Sequence, residues 1–453
     1  MKTVYGFSRT KMLLTKRRAS DDYNVSEEIK EKLKEMFGTD KPQKAVEKII
    51  NKVQRRGDDA LFDYSQKIDG IKLESLEVSR EQVEKARHEV DSRLMTALKL
   101  AADRIYSFHM EQKNGIETGV AVMGYGTIMR PLKRVGVYAP GGTASYPSTV
   151  LMTALPARVA GVEQVILVTP PGKNGKIPAA TLAAADIARV DRIFSIGGAQ
   201  AIAALAYGTQ TVPKVDKICG PGNIFVMLAK KYVFGAVGID GLQGPSEVVI
   251  IADKSAKAKN CAAEILAQAE HDALAEAIFI TNSGELATEV KNELEKQLVV
   301  LKRKKIAVTA LNNNGVIAVV ASINEAIELS NLYAPEHLCL DIQRVDKYIE
   351  KITNAGCIFT GEEPTVVMGD YVAGPSHALP TGGTARFSSP LNITDFMKYT
   401  NVVNTSRESL EQLGDAAAII ARAEGLEAHA RVVEQRLEKN NTDNDWKNDR
   451  RRY

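Results

Sequence analysis

The chain has 453 residues, of which 44% are hydrophobic and 25% charged, and this ordinary globular usage excludes a disordered or fibrous protein. Its 59 lysines and arginines nearly balance its 56 acidic residues, and the net charge of +3 excludes a strongly basic nucleic-acid binder. No apolar run approaches the roughly 18 residues of a membrane span, and no signal-peptide core opens the chain. The four cysteines are too few and too widely spaced for a disulfide framework. We therefore expect a soluble, cytoplasmic protein.

Helical periodicity dominates residues 26–112, where apolar residues recur at spacings of three and four. From residue 134 onward, strand-like runs alternate with stretches rich in alanine and leucine. This pattern predicts strands at 134–139, 164–169, 192–196 and 214–219, and helices at 149–159, 179–188 and 199–207. Such alternation is typical of βα units and a parallel sheet.

A second series of βα units follows the first. It predicts strands at 247–252, 277–281, 316–321, 337–342 and 357–360, with a helix around 256–270. After Pro390 no further strand is predicted. The sequence predicts two helices, 410–423 and 426–438, joined at Gly425, which can adopt the left-handed cap conformation. We expect the polar tail from residue 440 to be frayed.

These patterns together predict an α/β fold with two Rossmann-like parallel-sheet lobes, an N-terminal helical region and a C-terminal helical segment. The predicted divisions are an N-terminal arm at 1–29, the helical part of the first lobe at 30–133, the first Rossmann-like lobe at 134–245, the second at 246–390 and the C-terminal helical segment at 391–453.

Four of the six histidines occur in contexts that could support chemistry, whereas His88 and His109 lie in the charged helical zone as ordinary surface or packing residues. The candidates are Gln268 and His271 at a helix end, Glu336 and His337 at a strand start, Asp370 and His377 around a glycine-rich loop, and Glu424 and His429 on the C-terminal helices. Each has an ordinary alternative, such as a dipole-stabilised helix end or a solvated strand edge.

Jointly, the side chains of Gln268, His271, Asp370 and His429 form a mixed nitrogen and oxygen set that suits zinc. The pair Glu336 and His337 would then supply a water-activating base beside a proton shuttle. The sequence leaves open whether these residues converge in space.

Three glycine loops, at 140–143, 197–200 and 220–223, each follow a predicted strand and precede a predicted helix. This placement permits close backbone approach to a ligand and directs helix N-termini toward anionic groups. None is a G-x-G-x-x-G fingerprint, and no acidic residue follows at the expected distance. The loops therefore predict a ligand-binding crevice without specifying a nicotinamide cofactor, and tight βα turns remain the alternative.

Longer motifs resemble the histidinol dehydrogenase family, in that family's order, from about residue 40 to residue 438. The matching segments are 134–143, 147–152, 197–205, 212–223, 244–248, 268–271, 333–338, 369–383 and 423–429. The resemblance implies oxidation of L-histidinol to L-histidine with two NAD+ molecules in succession, through an aldehyde that is not released.

The resemblance also implies roles for individual residues. One zinc ion per subunit would be bound by Gln268, His271, Asp370 and His429, and these four would line the substrate site with Ser246, His337, His377 and Glu424. Glu336 and His337 would be the acid/base pair, and Tyr138, Gln200 and Asn223 would lie along the cofactor, so that the first lobe is the cofactor side. The family is a homodimer whose C-terminal helices form a dimerisation segment, so Glu424 and His429 would complete the partner's site.

Alternatives remain open at this stage. Related zinc- and NAD-dependent dehydrogenases act on other hydroxylated substrates such as a sulfopropanediol, although Glu424 suits a cationic amine and favours histidinol. A zinc hydrolase could use the same metal and Glu-His pair, but it has no need of three glycine loops. A cysteine thiohemiacetal at Cys339 is a further route for the aldehyde step.

Overall fold

The computed structural model describes residues 1–18, 25–116, 125–141 and 145–438. Residues 142–144 of the first glycine loop and the predicted tail from residue 440 lie outside this range. The chain divides into two compact units, one formed by residues 1–115 and 131–398 and the other by residues 116–130 and 399–453, and each is described by itself. Among the described helices, none is both long and apolar enough to cross a membrane.

Thirteen strands are present in the described residues. They are β1 (Lys2–Tyr5), β2 (Tyr125–Pro131), β3 (Arg134–Tyr138), β4 (Gln164–Val168), β5 (Arg192–Phe194), β6 (Lys217–Cys219), β7 (Gly238–Ile239), β8 (Glu247–Ala252), β9 (Glu276–Thr281), β10 (Val316–Val319), β11 (His337–Asp341), β12 (Cys357–Phe359) and β13 (Met397–Val403). Every strand predicted from the sequence is among them, with ends shifted by at most three residues.

The described helices account for most of the remaining chain. They are α1 (Phe7–Arg18), α2 (Glu27–Phe37), α3 (Pro42–Arg56), α4 (Asp58–Asp69), α5 (Arg80–Glu89), α6 (Ser92–Ile116), α7 (Pro147–Ala160), α8 (Ala179–Ile187), α9 (Gly198–Tyr207), α10 (Ile224–Val233), α11 (Ala258–Ala269), α12 (Gly284–Leu298), α13 (Lys304–Asn314), α14 (Ile323–Tyr333), α15 (Val366–Tyr371), α16 (Arg407–Ala423) and α17 (Glu427–Leu437). Short 3₁₀ turns occur at Val345–Lys347, Ile349–Lys351, Thr384–Arg386 and Ile393–Phe396.

The larger unit contains two parallel sheets with the same internal strand order. The first runs β5-β4-β3-β6-β7, and the second runs β10-β9-β8-β11-β12 with β1 added at its β10 edge. In each sheet the chain starts at the third strand, moves outward to one edge and then returns to the other side. Such sheets have a switch point, here between β3 and β6 and between β8 and β11, where ligands commonly bind.

Both faces of the second sheet are covered, as a parallel sheet requires. Along β8, Val248 and Ile250 belong to one apolar cluster, while Val249 and Ile251 belong to another on the opposite face. The first sheet packs against α3, α9 and α10, and Ile49, Ile50 and Val53 of α3 lie in its core. Apolar material on both sides explains why these strands consist of nearly continuous apolar runs.

The prediction that strands stop after Pro390 is wrong. β13 pairs with the distant strand β2 in a separate two-stranded sheet. Six of the seven residues of β13 are exposed, so it has no apolar alternation for a sequence pattern to detect. β1, another strand missed by the prediction, is also mostly exposed and adds to a sheet edge through residues far away in sequence.

In the smaller unit, α16 and α17 form a helical hairpin. Gly425 between them has a φ of 79°, which confirms the predicted left-handed cap. Arg422 on α16 pairs with Glu427 and Glu434 of α17, which helps to hold the hairpin together.

Candidate active site

Glu336 and His337 lie at the amino end of β11, next to the first residue of β8. The Glu247 N–H donates to Oε2 of Glu336 at 2.8 Å, and Nδ1 of His337 donates to the Glu247 carbonyl at 3.0 Å. Glu336 is 7% exposed and His337 only 4%, so the solvated-edge alternative for this pair is wrong. The parallel pairing of β8 with β11 therefore positions both side chains through the main chain of a single neighbouring residue, Glu247.

His337 stands between two carboxylates. Its Nδ1 lies 3.5 Å from Oε2 of Glu336, and its Nε2 lies 3.5 Å from Oδ1 of Asp370. Burial alone would lower the pKa of His337, but the two negative charges overcome this effect and raise the pKa to about 9. Burial raises the pKa of Glu336 to about 8, although the positive charge of His337 opposes that shift. These directions favour a protonated His337 in the metal-free protein, with its charge balanced by Asp370, whose pKa is lowered.

Asp370 lies on the short helix α15, which places its carboxylate beside Nε2 of His337. Glu264 of α11 holds the start of α15, where its Oε2 accepts the N–H of Val366 at 3.2 Å. Burial would raise the pKa of Asp370, but the hydrogen bond and charge of His337, together with His377 and His271, lower it overall. Asp370 is therefore a carboxylate, the form in which it could bind a metal.

Gln268 and His271 lie at the end of α11, where the sequence predicts them. Gln268 is 3% exposed, and its Nε2 is buried without a hydrogen-bond partner in the structure. Burial lowers the pKa of His271, although the nearby charge of Asp370 raises it. His271 is therefore neutral, and its imidazole is in the form that binds metals.

These residues fit a metal in donor chemistry. His271 offers a neutral imidazole and Asp370 a carboxylate. Gln268 offers a buried amide without a hydrogen-bond partner at Nε2, and turning this amide by 180° would place its oxygen there instead. Across the described ranges, no three His, Cys, Asp or Glu side chains are grouped closely enough for one ion. Of the candidate ligands in the larger unit, His271 and Asp370 belong to these residue types. Gln268 does not, because it would bind a metal through its amide oxygen.

His377 is held next to this cluster by two hydrogen bonds. Its Nδ1 donates to the Asp370 carbonyl at 2.9 Å, so its Nε2 is the acceptor for the Thr149 hydroxyl at 3.2 Å. Burial lowers the pKa of His377 and keeps the ring neutral. Both ring nitrogens are therefore occupied within the protein, and a substrate atom would have to displace the Thr149 hydroxyl to reach Nε2. Ser246, the other predicted substrate contact, is half-buried immediately before β8.

The predicted cofactor residues gather at the carboxyl ends of the first sheet. Tyr138 ends β3, and its hydroxyl accepts the Gly198 N–H at 3.1 Å. Gln200, in the first turn of α9, has a buried Oε1 with no hydrogen-bond partner. The Oδ1 of Asn223 caps α10 by accepting the N–H groups of Phe225 and Val226.

Gly220, the residue after β6, lies against Tyr138 at this end of the first sheet. It has a φ of 113°, and a Cβ there would lie 2.2 Å from the Tyr138 carbonyl oxygen. The orphaned amide of Gln200, the glycine cradle and two helix N-termini at the switch point fit a dinucleotide.

Comparison with known proteins identifies the family. The histidinol dehydrogenase family model matches residues 33–437. A histidinol dehydrogenase from Dehalococcoides mccartyi (strain CBDB1) is 56% identical over 438 residues, covering 97% of this chain and 100% of that protein. One from Bacillus cereus (strain ATCC 14579) is 48% identical over 398 residues, covering 87% and 92%. The crystal structure of histidinol dehydrogenase from Elizabethkingia anophelis superimposes with a TM-score of 0.87 at 35% identity, covering 96% and 98%.

The chain belongs to the histidinol dehydrogenase family.

Two candidate residues of this family member lie in the smaller unit. Glu424 follows α16 as its C-terminal cap residue, and His429 lies in the first turn of α17. Both side chains are exposed. The larger unit brings together His271, Glu336, His337, Asp370 and His377 near the amino ends of β8 and β11. Gln268 lies three residues before His271, at the end of α11.

Three further residues organise this site, and the sequence did not single them out as functional. The main-chain N–H and carbonyl of Glu247 orient Glu336 and His337, and the side-chain Oε1 of Glu247 accepts the Gly382 N–H at 2.9 Å. Thr149 faces His377, and Glu264 holds the helix that carries Asp370. Of these three residues, only Glu247 could have been recognised from the sequence, because it is a charged residue at the start of an otherwise apolar strand.

Cys339 is poorly suited to a thiohemiacetal route. The thiol is 1% exposed, and burial raises its pKa far above the ordinary value. Its Sγ lies 3.8 Å from the Pro364 carbonyl oxygen. A thiolate, the nucleophilic form, is therefore strongly disfavoured at this position.

Proposed function

We propose that this chain oxidises L-histidinol to L-histidine in two successive NAD-linked steps, with one zinc ion per subunit and an aldehyde that stays bound. Membership of the histidinol dehydrogenase family makes the chain an oxidoreductase of histidine biosynthesis. The observation that carries the finer proposal is the buried cluster in which His337 lies 3.5 Å from a carboxylate on each side.

In the first oxidation, His337 accepts the proton of the alcohol while a hydride leaves the carbinol carbon for NAD+. Its Nδ1 donates to the Glu247 carbonyl, so in the neutral ring the lone pair is on Nε2, on the side of Asp370. Bound zinc would fix the imidazole and amine of histidinol and offset the charge of Asp370, which favours the neutral base.

In the second oxidation, the bound aldehyde takes up water to form a hydrate, and a second hydride then leaves for a second NAD+. Glu336 receives the proton of the attacking water. Burial raises the pKa of Glu336 to about 8, so this carboxyl can both accept and return a proton near neutral pH.

The first sheet supplies the cofactor side. The matching strand orders of the two sheets support Rossmann-like lobes at 134–245 and 246–390, preceded by an arm at 1–29 and a helical part at 30–133. We place NAD at the switch point of the first lobe, along Tyr138, Gln200 and Asn223. The cradle at Gly220 lets its phosphates approach the backbone closely.

We further propose a homodimer in which the C-terminal segment, 391–453, supplies Glu424 and His429 to the partner's site. Exposed apolar side chains on α16 support an association surface there, since Leu413, Ile419 and Ile420 are at least half exposed. His429 would then be the fourth zinc ligand, and Glu424 would bind the amine of histidinol together with Ser246 and His377.

The test is the stoichiometry of NADH and histidine formed from a limiting amount of histidinol. We expect two NADH and one histidine per histidinol. In Glu336→Gln, we expect one NADH per site followed by a stall, because only the hydration step has lost its base. Free histidinal accumulating with one NADH in the wild type would contradict the two-step proposal. NADH formed from a sulfopropanediol but not from histidinol would instead favour the related dehydrogenases.

A further inference from the structure

A buried ion pair lies under the turn that follows β6. Nζ of Lys230, on α10, lies 2.5 Å from Oδ1 of Asp240, the residue after β7. Both side chains are 1% exposed. Apolar residues of similar volume would often stabilise a fold as well or better, so a buried pair of this kind suggests a geometric role.

The pair holds Gly220 from both sides. Oδ2 of Asp240 accepts the Gly220 N–H at 2.8 Å, and Nζ of Lys230 donates to the Gly220 carbonyl at 3.0 Å. Gln243 completes the network, because its Oε1 accepts from Lys230 at 2.8 Å and its Nε2 donates to Asp240 at 3.3 Å.

These hydrogen bonds to Gly220 fix the position of the turn 220–223. Gly220 has a φ of 113° and is pressed against the backbone of Tyr138, as the position of a hypothetical Cβ shows. Three residues later, Asn223 caps α10. Gly220 therefore lies between the backbone of Tyr138 and the start of α10 at Asn223. Tyr138 and Asn223 are both residues along which we place the cofactor.

We propose that Lys230 and Asp240 are positioning residues for NAD, which hold the turn 220–223 at the height that the dinucleotide phosphates require. The inference rests on the proposed placement of the cofactor. The pair lies beneath the turn and acts through the Gly220 peptide. It therefore controls affinity for NAD+ and leaves the binding and chemistry of histidinol to the second sheet.

The test compares Lys230→Met with Lys217→Met. Lys217 is the first residue of β6, the strand that leads into the turn, and it pairs with Asp395 at 2.7 Å. It therefore lies at the end of β6 that is farther from Gly220. For Lys230→Met we expect the KM for NAD+ to rise about tenfold, the effect of losing one buried hydrogen bond, while kcat at saturating NAD+ and the KM for histidinol stay near wild type. Lys217→Met should leave both KM values unchanged.

A second readout does not depend on turnover. Calorimetric titration of the purified dehydrogenase with NAD+ alone should show the same weakening in Lys230→Met. Hydrogen exchange should become faster at the amides of 220–223 and not across the first sheet as a whole. If Lys230→Met melts at a lower temperature but keeps the wild-type KM for NAD+, or if both KM values rise together, the positioning role is refuted.

Two further variants keep the inference testable if Lys230→Met does not fold. Lys230→Met combined with Asp240→Asn removes both charges and retains an amide oxygen for the Gly220 N–H. Gln243→Leu removes only the peripheral partner and should raise the KM for NAD+ by less than Lys230→Met. An unchanged KM for NAD+ in every folded member of this set overturns the inference.

Asn223→Ala separates this inference from the placement of the cofactor. If Asn223→Ala weakens NAD+ binding and the Lys230 set does not, only the positioning role fails. If Asn223→Ala also has no effect, the cofactor placement itself is wrong, and the positioning role falls with it.

Discussion

Replacing Asp370 by Asn should lower the pKa of His337 in the metal-free protein. The imidazolium of His337 is stabilised by Glu336 and Asp370 against a burial effect that favours the neutral ring. Asn keeps the shape of the side chain and its hydrogen-bonding capacity but removes the charge. In the wild type the imidazolium should persist up to about pH 9, whereas in Asp370→Asn the proton should leave at a lower pH.

The expected size follows from the 3.5 Å between Nε2 of His337 and Oδ1 of Asp370. Two unit charges at this distance interact by about 5 kcal/mol at an effective dielectric constant of about 20, which corresponds to roughly 3.5 pKa units. The amide dipole of Asn recovers part of this interaction, so we expect a fall of about 1 to 3 units.

The measurement is a pH titration of the imidazole resonances in protein labelled with ¹⁵N-histidine and stripped of metal by a chelator. Spectra of His337→Asn assign the signal. Glu264→Gln is the matched control, since Glu264 is a carboxyl near the same cluster that does not contact the ring, and its effect should be smaller. A His337 pKa in Asp370→Asn within half a unit of the wild type would refute the electrostatic reasoning.

The remaining predictions concern the metal and the dimer. His271→Ala should lose bound zinc by elemental analysis with little change in circular dichroism, whereas the exposed His88→Ala should keep it, and full zinc content in His271→Ala would refute the ligand assignment. Inactive His337→Ala and His429→Ala subunits should complement when mixed. Random exchange places about half of the dimers in the mixed class, each with one intact site, so about a quarter of wild-type activity should return. Recovery at background level despite exchange confirmed by mass-tagged subunits would show that the helices serve their own subunit.

Much of the architecture could be predicted from local pattern. Continuous apolar runs separated by alanine-rich helices specify buried parallel strands, because both faces of such a sheet are covered. This is why β8 was predicted with its observed ends. β1 and β13 escaped prediction because they are mostly exposed and form by pairing with distant segments.

The candidate residues were also identified from the sequence, but their chemical states were not. Asp370 is 33 positions from His337, and no local pattern shows that its carboxylate lies beside the ring. The sequence does not show the protonation state of His337, whose pKa is raised to about 9 in the metal-free protein by the carboxylates beside it. Protonation depends on burial and on charges brought together by folding, so the tertiary structure alone decides it.

The location of the site also separates what the sequence shows from what only the tertiary structure decides. The usual rule for α/β sheets places ligands outside the carboxyl ends of the strands, and the predicted cofactor residues of the first sheet follow it. In the second sheet, Glu336 and His337 lie at the amino end of β11, next to the end of α11. The sequence by itself determined the residue types and the order of the elements. Which end of the second sheet holds Glu336 and His337, and which carboxylates flank His337, depended on contacts between segments that meet only in the folded chain.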